Sequence, residues 1–257
     1  MILCIDIGNT NTVVGGYDGD KLVFRARIAT DASLTSDQYA VELKGLLDLH
    51  RIDAADFDGA AISSVVPQLT APLSRAVVSV VGVYPIALGP DNFSDLDIKL
   101  DNPLELGNDL AAAAVATKSK YPLPCIIVDM GTATKMTVLS ADGEFLGGAI
   151  APGLHVSVES LIGNASLLTG IPLEAPENVI GTNTADCMKS GAVIGAAAMI
   201  DGMCERIAEQ LGQAPKVVAT GGLAHLVVPC CRKQVILDDD LVLDGIRMIY
   251  ETNKKEG

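Results

Sequence analysis

One phrase is written twice in this chain, and a repeated hairpin limits the possible folds more than any other feature of it. Ile2-Leu3-Cys4-Ile5-Asp6-Ile7-Gly8-Asn9-Thr10-Asn11-Thr12 runs an apolar stretch into an acid, a glycine and a cluster of small polar residues. Cys125-Ile126-Ile127-Val128-Asp129-Met130-Gly131-Thr132-Ala133-Thr134 repeats the phrase, with Asp129 and Gly131 each 123 positions beyond Asp6 and Gly8. Both copies continue into a second apolar run and a tight turn, Asp18-Gly19 in the first and Asp142-Gly143 in the second. A hairpin duplicated at this distance predicts two lobes built to one plan.

A buried strand ending in Asp-Xaa-Gly-(Asn/Thr) is suited to a phosphate. Glycine lets backbone approach the anion, Asn and Thr add donors, and the acid can hold a cation that offsets the phosphate charge. Two such turns facing each other would clamp a polyphosphate. Each turn is equally compatible with an ordinary hairpin carrying polar residues at its tip.

With 257 residues, two interlocked lobes are expected rather than one core or two independent domains. The boundary is expected near the alanine run, giving lobes 1–114 and 115–257. A hydrophobic fraction of 49% with only 4% aromatics points to an α/β interior rich in Ala, Val, Ile and Leu. Every apolar run is broken by Gly, Ser, Asp or Lys before the roughly 18 residues a membrane span requires, so no membrane partner is expected. The opening residues carry no basic leader, and the six cysteines show no Cys-Xaa-Xaa-Cys or Cys/His metal spacing; both favour a cytoplasmic protein. A formal charge of −14 argues against nucleic acid as a partner. Such a chain would bind a nucleotide through backbone amides, hydroxyls and cations.

Periodicity gives three strands at 2–7, 11–17 and 21–28, then a helix from Ser36 to His50 with Thr35 or Ser36 as its N-cap. A strand at 59–66, a helix opened by Pro67, and a strand at 84–88 follow. A polar segment, Gly89 to Gly107, leads into a helix from about Asn108. The second half repeats the order, with strands at 125–129, 135–140 and 144–150, helices at 154–167 and 184–211, strands at 216–220 and 234–237, and a closing helix at 241–252. The expected fold is therefore α/β, with mixed sheets flanked by helices and a cleft between the lobes.

The duplicated hairpin with Asp-Xaa-Gly-Asn-Thr resembles the actin and hexokinase superfamily, which implies two actin-like (ribonuclease H-like) lobes. A more specific resemblance lies in the ordered set Asp6 to Thr12, Asp101-Asn102-Pro103-Leu104-Glu105-Leu106-Gly107-Asn108-Asp109, Val128 to Thr134, Gly147 to Gly153, and Gly181-Thr182-Asn183-Thr184 with Ser190-Gly191. Together these are similar to type III pantothenate kinase, over nearly the whole chain. The resemblance implies a homodimer that phosphorylates the primary hydroxyl of pantothenate with ATP, toward coenzyme A, using Mg2+ and a monovalent cation, K+ or NH4+. Carried over by position, Asp6, Ile7, Gly8, Asn9, Thr10, Asn11, Thr12 and Val13 would wrap the ATP phosphates, with Asp6 near Mg2+. Thr132 would contact nucleotide and Asp129 would hold the monovalent cation. Leu100, Gly107, Asn108, Leu110 and Thr184 would line the acceptor site, with Asp109 as general base. Gly221-Gly222 resembles the superfamily's adenosine contact, although a tight turn explains it equally, and Gly147 to Gly153 resembles the family's dimer stretch.

The chain departs from its family at three places. The motif normally reads Gly-Xaa-Asp-Arg, and here it is Gly107-Asn108-Asp109-Leu110. An aromatic residue usual before the Asn-Pro pair is replaced by Leu100, and Lys135 follows Thr134 where a small or hydroxyl residue is more usual. Loss of an arginine removes five fixed donors and a charge from a site that meets an acid. A kinase for another small hydroxy acid or alcohol, or a catalytically weak nucleotide-binding paralogue, therefore stays open beside pantothenate kinase.

Overall fold

A computed structural model of the protein describes residues 1–256. The chain divides into two compact units, the first comprising Met1–Leu96, Asp101–Ala116 and the segment from Leu241, the second Asp97–Leu100 and Thr117–Asp240.

In the first unit, β1 (Ile2–Ile7), β2 (Asn11–Asp18) and β3 (Lys21–Ala29) form the expected antiparallel meander. Helix α1 (Ser36–His50) follows, then β4 (Gly59–Ser64), α2 (Pro67–Val81) and the short β5 (Ile86–Ala87). Thr35 caps α1 in a reciprocal box: Gln38 N–H donates to its hydroxyl, and its own N–H donates to the Gln38 side chain. The sheet order is β3-β2-β1-β4-β5, with β4 and β5 parallel to β1. Because side chains alternate across a strand, Leu3, Ile5 and Ile7 of β1 face one side, where they pack with Tyr39, Leu43 and Leu47 of α1 and Leu69, Leu73 and Val77 of α2. Helix α3 (Asn108–Lys120) begins in this unit, and its alanines Ala111–Ala114 are fully buried.

The second unit holds β6 (Cys125–Met130), β7 (Ala133–Leu139), β8 (Phe145–Pro152), α4 (Leu154–Asn164) and α5 (Thr184–Lys189). A π-helical turn at Ser190–Ile194 joins α5 to α6 (Gly195–Leu211), and β9 (Lys216–Thr220), α7 (Ala224–Val227) and β10 (Ile236–Leu237) complete the unit. Its sheet order, β10-β9-β6-β7-β8, is that of the first sheet read from the other edge, with the same parallel and antiparallel pairings. Even the irregularities correspond, at Gly16/Tyr17 and at Val138/Leu139. The duplication read from the hairpins thus extends to all ten strands of the described residues.

The closing helix departs from expectation. α8 (Leu241–Glu256) follows the second sheet in sequence but packs on β1, β2 and β4 of the first unit, so the expected 115–257 lobe lacks its last helix. Leu241, Leu243, Ile246, Ile249 and Tyr250 are buried there. The approach is close: a Cβ on Gly245 would lie 1.9 Å from the Ala112 carbonyl oxygen, and one on Gly59 2.0 Å from the Tyr250 hydroxyl. An amphipathic helix shows in its sequence that it needs an apolar surface, not which sheet supplies one.

The helical stretch Thr184–Leu211 corrects a second expectation. Its 28 residues contain a window of mean hydropathy 1.2, long and apolar enough to cross a membrane by length and composition alone. In the structure its Val193, Ala197, Ile200 and Cys204 pack with Ile126 and Val128 of β6 and with Val217 and Ala219 of β9. The helix forms part of the core of the second unit.

Candidate active site

Asp6 lies near the end of β1, with Ser63 of β4 directly beside it in parallel register. The Ser63 hydroxyl donates to the Asp6 carboxylate at 2.9 Å. The turn that follows is closed by Gly8 N–H donating to the Asn11 carbonyl at 3.0 Å, and a Cβ at position 8 would sit 2.9 Å from that same oxygen. Glycine is required there by close backbone approach. Asn9, Thr10 and Asn11 are exposed, so the turn presents their polar side chains outward.

Ile7 and Thr12 behave differently from their neighbours. Both are fully buried, and the Thr12 hydroxyl is hydrogen-bonded to that of Thr30 at 2.9 Å. Thr30 in turn donates to the Gly8 carbonyl at 2.7 Å, and its N–H donates to the Thr10 carbonyl at 3.0 Å. Any contact of Ile7 or Thr12 with a ligand is therefore restricted to backbone. Sequence reasoning missed Thr30 and Ser63, which brace the turn and its acid. Their only signal was a hydroxyl residue at the end of an apolar run.

Asp109 belongs to the first turn of α3. Asn108 anchors that turn by donating from its amide to the carbonyls of Leu88 at 2.8 Å and Ser64 at 3.3 Å, at the carboxyl ends of β5 and β4. Asp109 and Asp6 are thereby both set at the carboxyl ends of the parallel strands of one sheet, the edge where open α/β sheets bind ligands. The Asp109 Oδ1 accepts the Leu110 N–H at 2.8 Å. A Cβ at Gly107 would come within 2.8 Å of the same oxygen, so any side chain there would displace the carboxylate. Leu110 is half-buried.

In the second unit the turn recurs with one residue fewer. Gly131 N–H donates to the Ala133 carbonyl at 3.0 Å, as Gly8 does to Asn11, and Gly153 N–H donates to the Thr132 carbonyl at 3.1 Å, as Thr30 does to Thr10. Gly153 thus stands where Thr30 stands in the first copy, and a Cβ on it would lie 2.4 Å from the carbonyl oxygens of Gly131 and Thr132. Thr132 is exposed at the tip. Asp129 is paired across the strands with Lys135, whose ammonium lies 2.6 Å from the Asp129 carboxylate.

Leu100 lies in the stretch 97–100 that joins the second unit beside β8, where Lys99 N–H donates to the Phe145 carbonyl at 2.8 Å. Its methyl group would be 3.3 Å from a Cβ on Gly147, which has φ +109°. Val13 is half-buried opposite Asp6. Thr184 is exposed at the start of α5, whose N-cap Asn183 accepts the Asp186 N–H at 3.0 Å. Gly221 has φ +94°, and a Cβ there would meet the Met130 carbonyl oxygen at 2.6 Å, so close strand packing accounts for it without a base.

The buried cysteines are not reactive nucleophiles. All six are free thiols; burial pushes the thiol of Cys4 far up, that of Cys125 up to about 12 and that of Cys231 up to about 12. Such groups stay protonated and unreactive at neutral pH.

The family profile described as type III pantothenate kinase matches residues 2–206. Among curated relatives, the type III pantothenate kinase of Exiguobacterium sibiricum is 43% identical over 254 residues, covering 99% of this chain and 100% of the relative. That of Anaeromyxobacter sp. is 41% identical over 254 residues, with the same two coverages. Among solved structures, a conserved Baf family protein from Campylobacter jejuni, titled as a transcriptional activator, superposes with a TM-score of 0.61 at 21% identity, covering 98% of this chain and 99% of that one. A ROK family glucokinase from Streptomyces griseus, solved with glucose and AMPPNP, gives 0.52 at 13% identity and 99% coverage of both chains. These structural likenesses establish the fold, the two-lobed α/β plan expected from the repeat, while the sequence matches establish the family. By both its profile and its full-length relatives, the chain belongs to the type III pantothenate kinase family.

Proposed function

We propose that this protein phosphorylates the primary hydroxyl of pantothenate with ATP, giving 4'-phosphopantothenate and ADP, the first step toward coenzyme A. One observation carries the proposal: in a chain with full-length type III pantothenate kinase relatives, Asp6 and Asp109 are both set at the carboxyl ends of the parallel strands of a single sheet.

Phosphoryl transfer passes through a loose transition state, so positioning and charge neutralisation supply most of the catalysis. Asp109, held by Asn108 and given room by Gly107, orients the acceptor hydroxyl and takes its proton as the new O–P bond forms. Asn9, Thr10 and Asn11, with the backbone of the Gly8 turn, donate to the phosphates, and Thr132 contributes from its own turn. Among the described residues no three His, Cys, Asp or Glu side chains cluster as a metal site. Mg2+ in a kinase is commonly held by one or two carboxylates together with substrate phosphates and water. Asp6, at the carboxyl end of β1 beside the Gly8 turn, fits as that carboxylate; the ion would neutralise charge developing on the phosphates. A monovalent cation at Asp129 would have to share its carboxylate with Lys135.

The protein acts as a homodimer in this reading. Several apolar side chains of the second unit are exposed: Ile150 of β8, Val156 and Leu161 of α4, and Val179 and Ile180 before α5. Exposed apolar surface of this kind is what a protein interface covers, and Thr184 begins the helix that follows Ile180. A cytoplasmic location agrees with six free thiols.

Leu100 and Leu110 support a second reading, in which the acceptor is another small hydroxy acid or alcohol. Purified protein with ATP and Mg2+, assayed for ADP release against pantothenate and a panel of such compounds, separates the two. Release with pantothenate is the expected result. Release with a different acceptor alone would establish the second reading, and none with any acceptor would favour a nucleotide-binding paralogue without catalysis.

A further inference from the structure

We infer that the Lys135 ammonium takes the place of a monovalent cation at Asp129, so that the nucleotide half of this site works without added potassium or ammonium. The inference rests on the kinase reading for its context, and on the geometry of the second hairpin for its content.

Asp129 and Lys135 are direct cross-strand partners on β6 and β7, and their side chains are 16% and 18% exposed. Neighbouring residues in an antiparallel ladder have side chains on one face within reach of each other, so register alone brings the two together. The Nζ–Oδ2 distance of 2.6 Å is that of a short charge-assisted hydrogen bond. The duplicated hairpin supplies an internal comparison. Asp6 stands in the Asp129 position, but the residue across from it is Val13, and its partner from the parallel strand is the Ser63 hydroxyl. Of the two repeated acids, the second has a lysine as its direct cross-strand partner where the first has a valine.

The Lys135 head group is itself a substituted ammonium with unit charge, fixed by its stem to the strand. A free K+ or NH4+ at Asp129 would have to displace it from a mostly buried position or place two like charges against one carboxylate. Both are unfavourable in a partly desolvated site. The expected ion therefore does not fit beside the residues present, and Lys135 already supplies its charge. Lys135 is a positioning and charge-balancing residue, distinct from Asp109, which is proposed to touch the reacting hydroxyl.

The test uses the full chain, exchanged into a buffer whose only monovalent cation is tetramethylammonium, too large for an ion site. Affinity for a non-hydrolysable ATP analogue with Mg2+ is measured by calorimetry as potassium chloride replaces tetramethylammonium chloride at constant ionic strength, and ADP release is followed in parallel. The wild-type protein is expected to show the same affinity throughout. Lys135→Thr, which removes the ammonium and offers an oxygen ligand, should bind the analogue weakly without potassium and gain roughly fivefold or more when it is added, the range of ordinary coupling between two ligands. Lys135→Met, which keeps the aliphatic stem, should gain the same dependence and guards against a Thr variant that fails to fold. A wild-type affinity that rises fivefold with potassium would overturn the inference, as would Lys135 variants that remain indifferent to it. If potassium is irrelevant to binding but pantothenate is not phosphorylated, the substrate reading fails while the role of Lys135 stands.

Discussion

At the scale of single residues the site depends on which side chains are given room and which are tied down. Asp109 is placed by its two predecessors, Gly107 because it has no side chain and Asn108 because its amide bonds two strand-end carbonyls. Asp109→Asn keeps the size and removes the basicity, so kcat should fall by roughly a hundredfold or more while ATP-analogue affinity changes little; undiminished turnover would refute the general-base role. Leu110 poses the opposite question. If it only weakens a pantothenate site, Leu110→Arg restores a charged donor contributing about 1.5–3 kcal/mol, and kcat/KM for pantothenate rises by roughly tenfold to a hundredfold. Should activity toward another acceptor drop with no gain for pantothenate, the leucine belongs to a different specificity. Asp6 and Asp109 were legible in the sequence because acid and glycine stand in short fixed spacings. Thr30 and Ser63 were not, because each reaches its partner across strands, and a lone Thr or Ser at a strand end carries no local pattern.

Secondary elements show where glycine is required and where it is merely permitted. In β8 and at its end, Gly148 and Gly153 lie in the stretch that resembles the family's dimer interface, and their own sheet also requires them, with a Cβ on Gly148 falling 2.0 Å from the Met136 carbonyl oxygen. Gly153→Ala should therefore lower stability by roughly 1–3 kcal/mol, measured by denaturant unfolding, and should loosen the Thr132 turn. Gly45 is the contrast. It is exposed within α1 and has no atom within 4 Å of a built Cβ, so Gly45→Ala should raise stability by about 0.5–1 kcal/mol. A loss at position 45 equal to that at 153 would show that the close contacts are not what separates them. In the first hairpin, Thr30→Val should raise the KM for ATP severalfold with little change in kcat, since it removes the bond that holds the Gly8 carbonyl without touching Asp109.

At the scale of the whole molecule, the proposed dimer turns on exposed apolar residues of the second unit. Ile150 is 76% exposed and Ile180 83% exposed, on separate segments of that unit. Sedimentation at assay concentration should report a dimer, and the double variant Ile150→Asp, Ile180→Asp should shift it to monomer with loss of activity. An active monomeric parent would rule out the dimer reading.

The sequence by itself determined the duplication, nearly every strand and helix, and the positions of the two repeated acids, because alternation, capping and turn chemistry are set by residues a few positions apart. Tertiary structure alone decided three things. It sent α8 to the first sheet rather than the second, since an apolar face specifies burial and not a partner. It set Gly148 so close to the Met136 backbone that no side chain fits there. And by closing the second hairpin with one residue fewer than the first, it brought Lys135 opposite Asp129 where the first copy sets Val13 opposite Asp6. Cross-strand register depends on the length and hydrogen bonding of a turn, so the residue that meets a given acid is fixed only when the turn has formed.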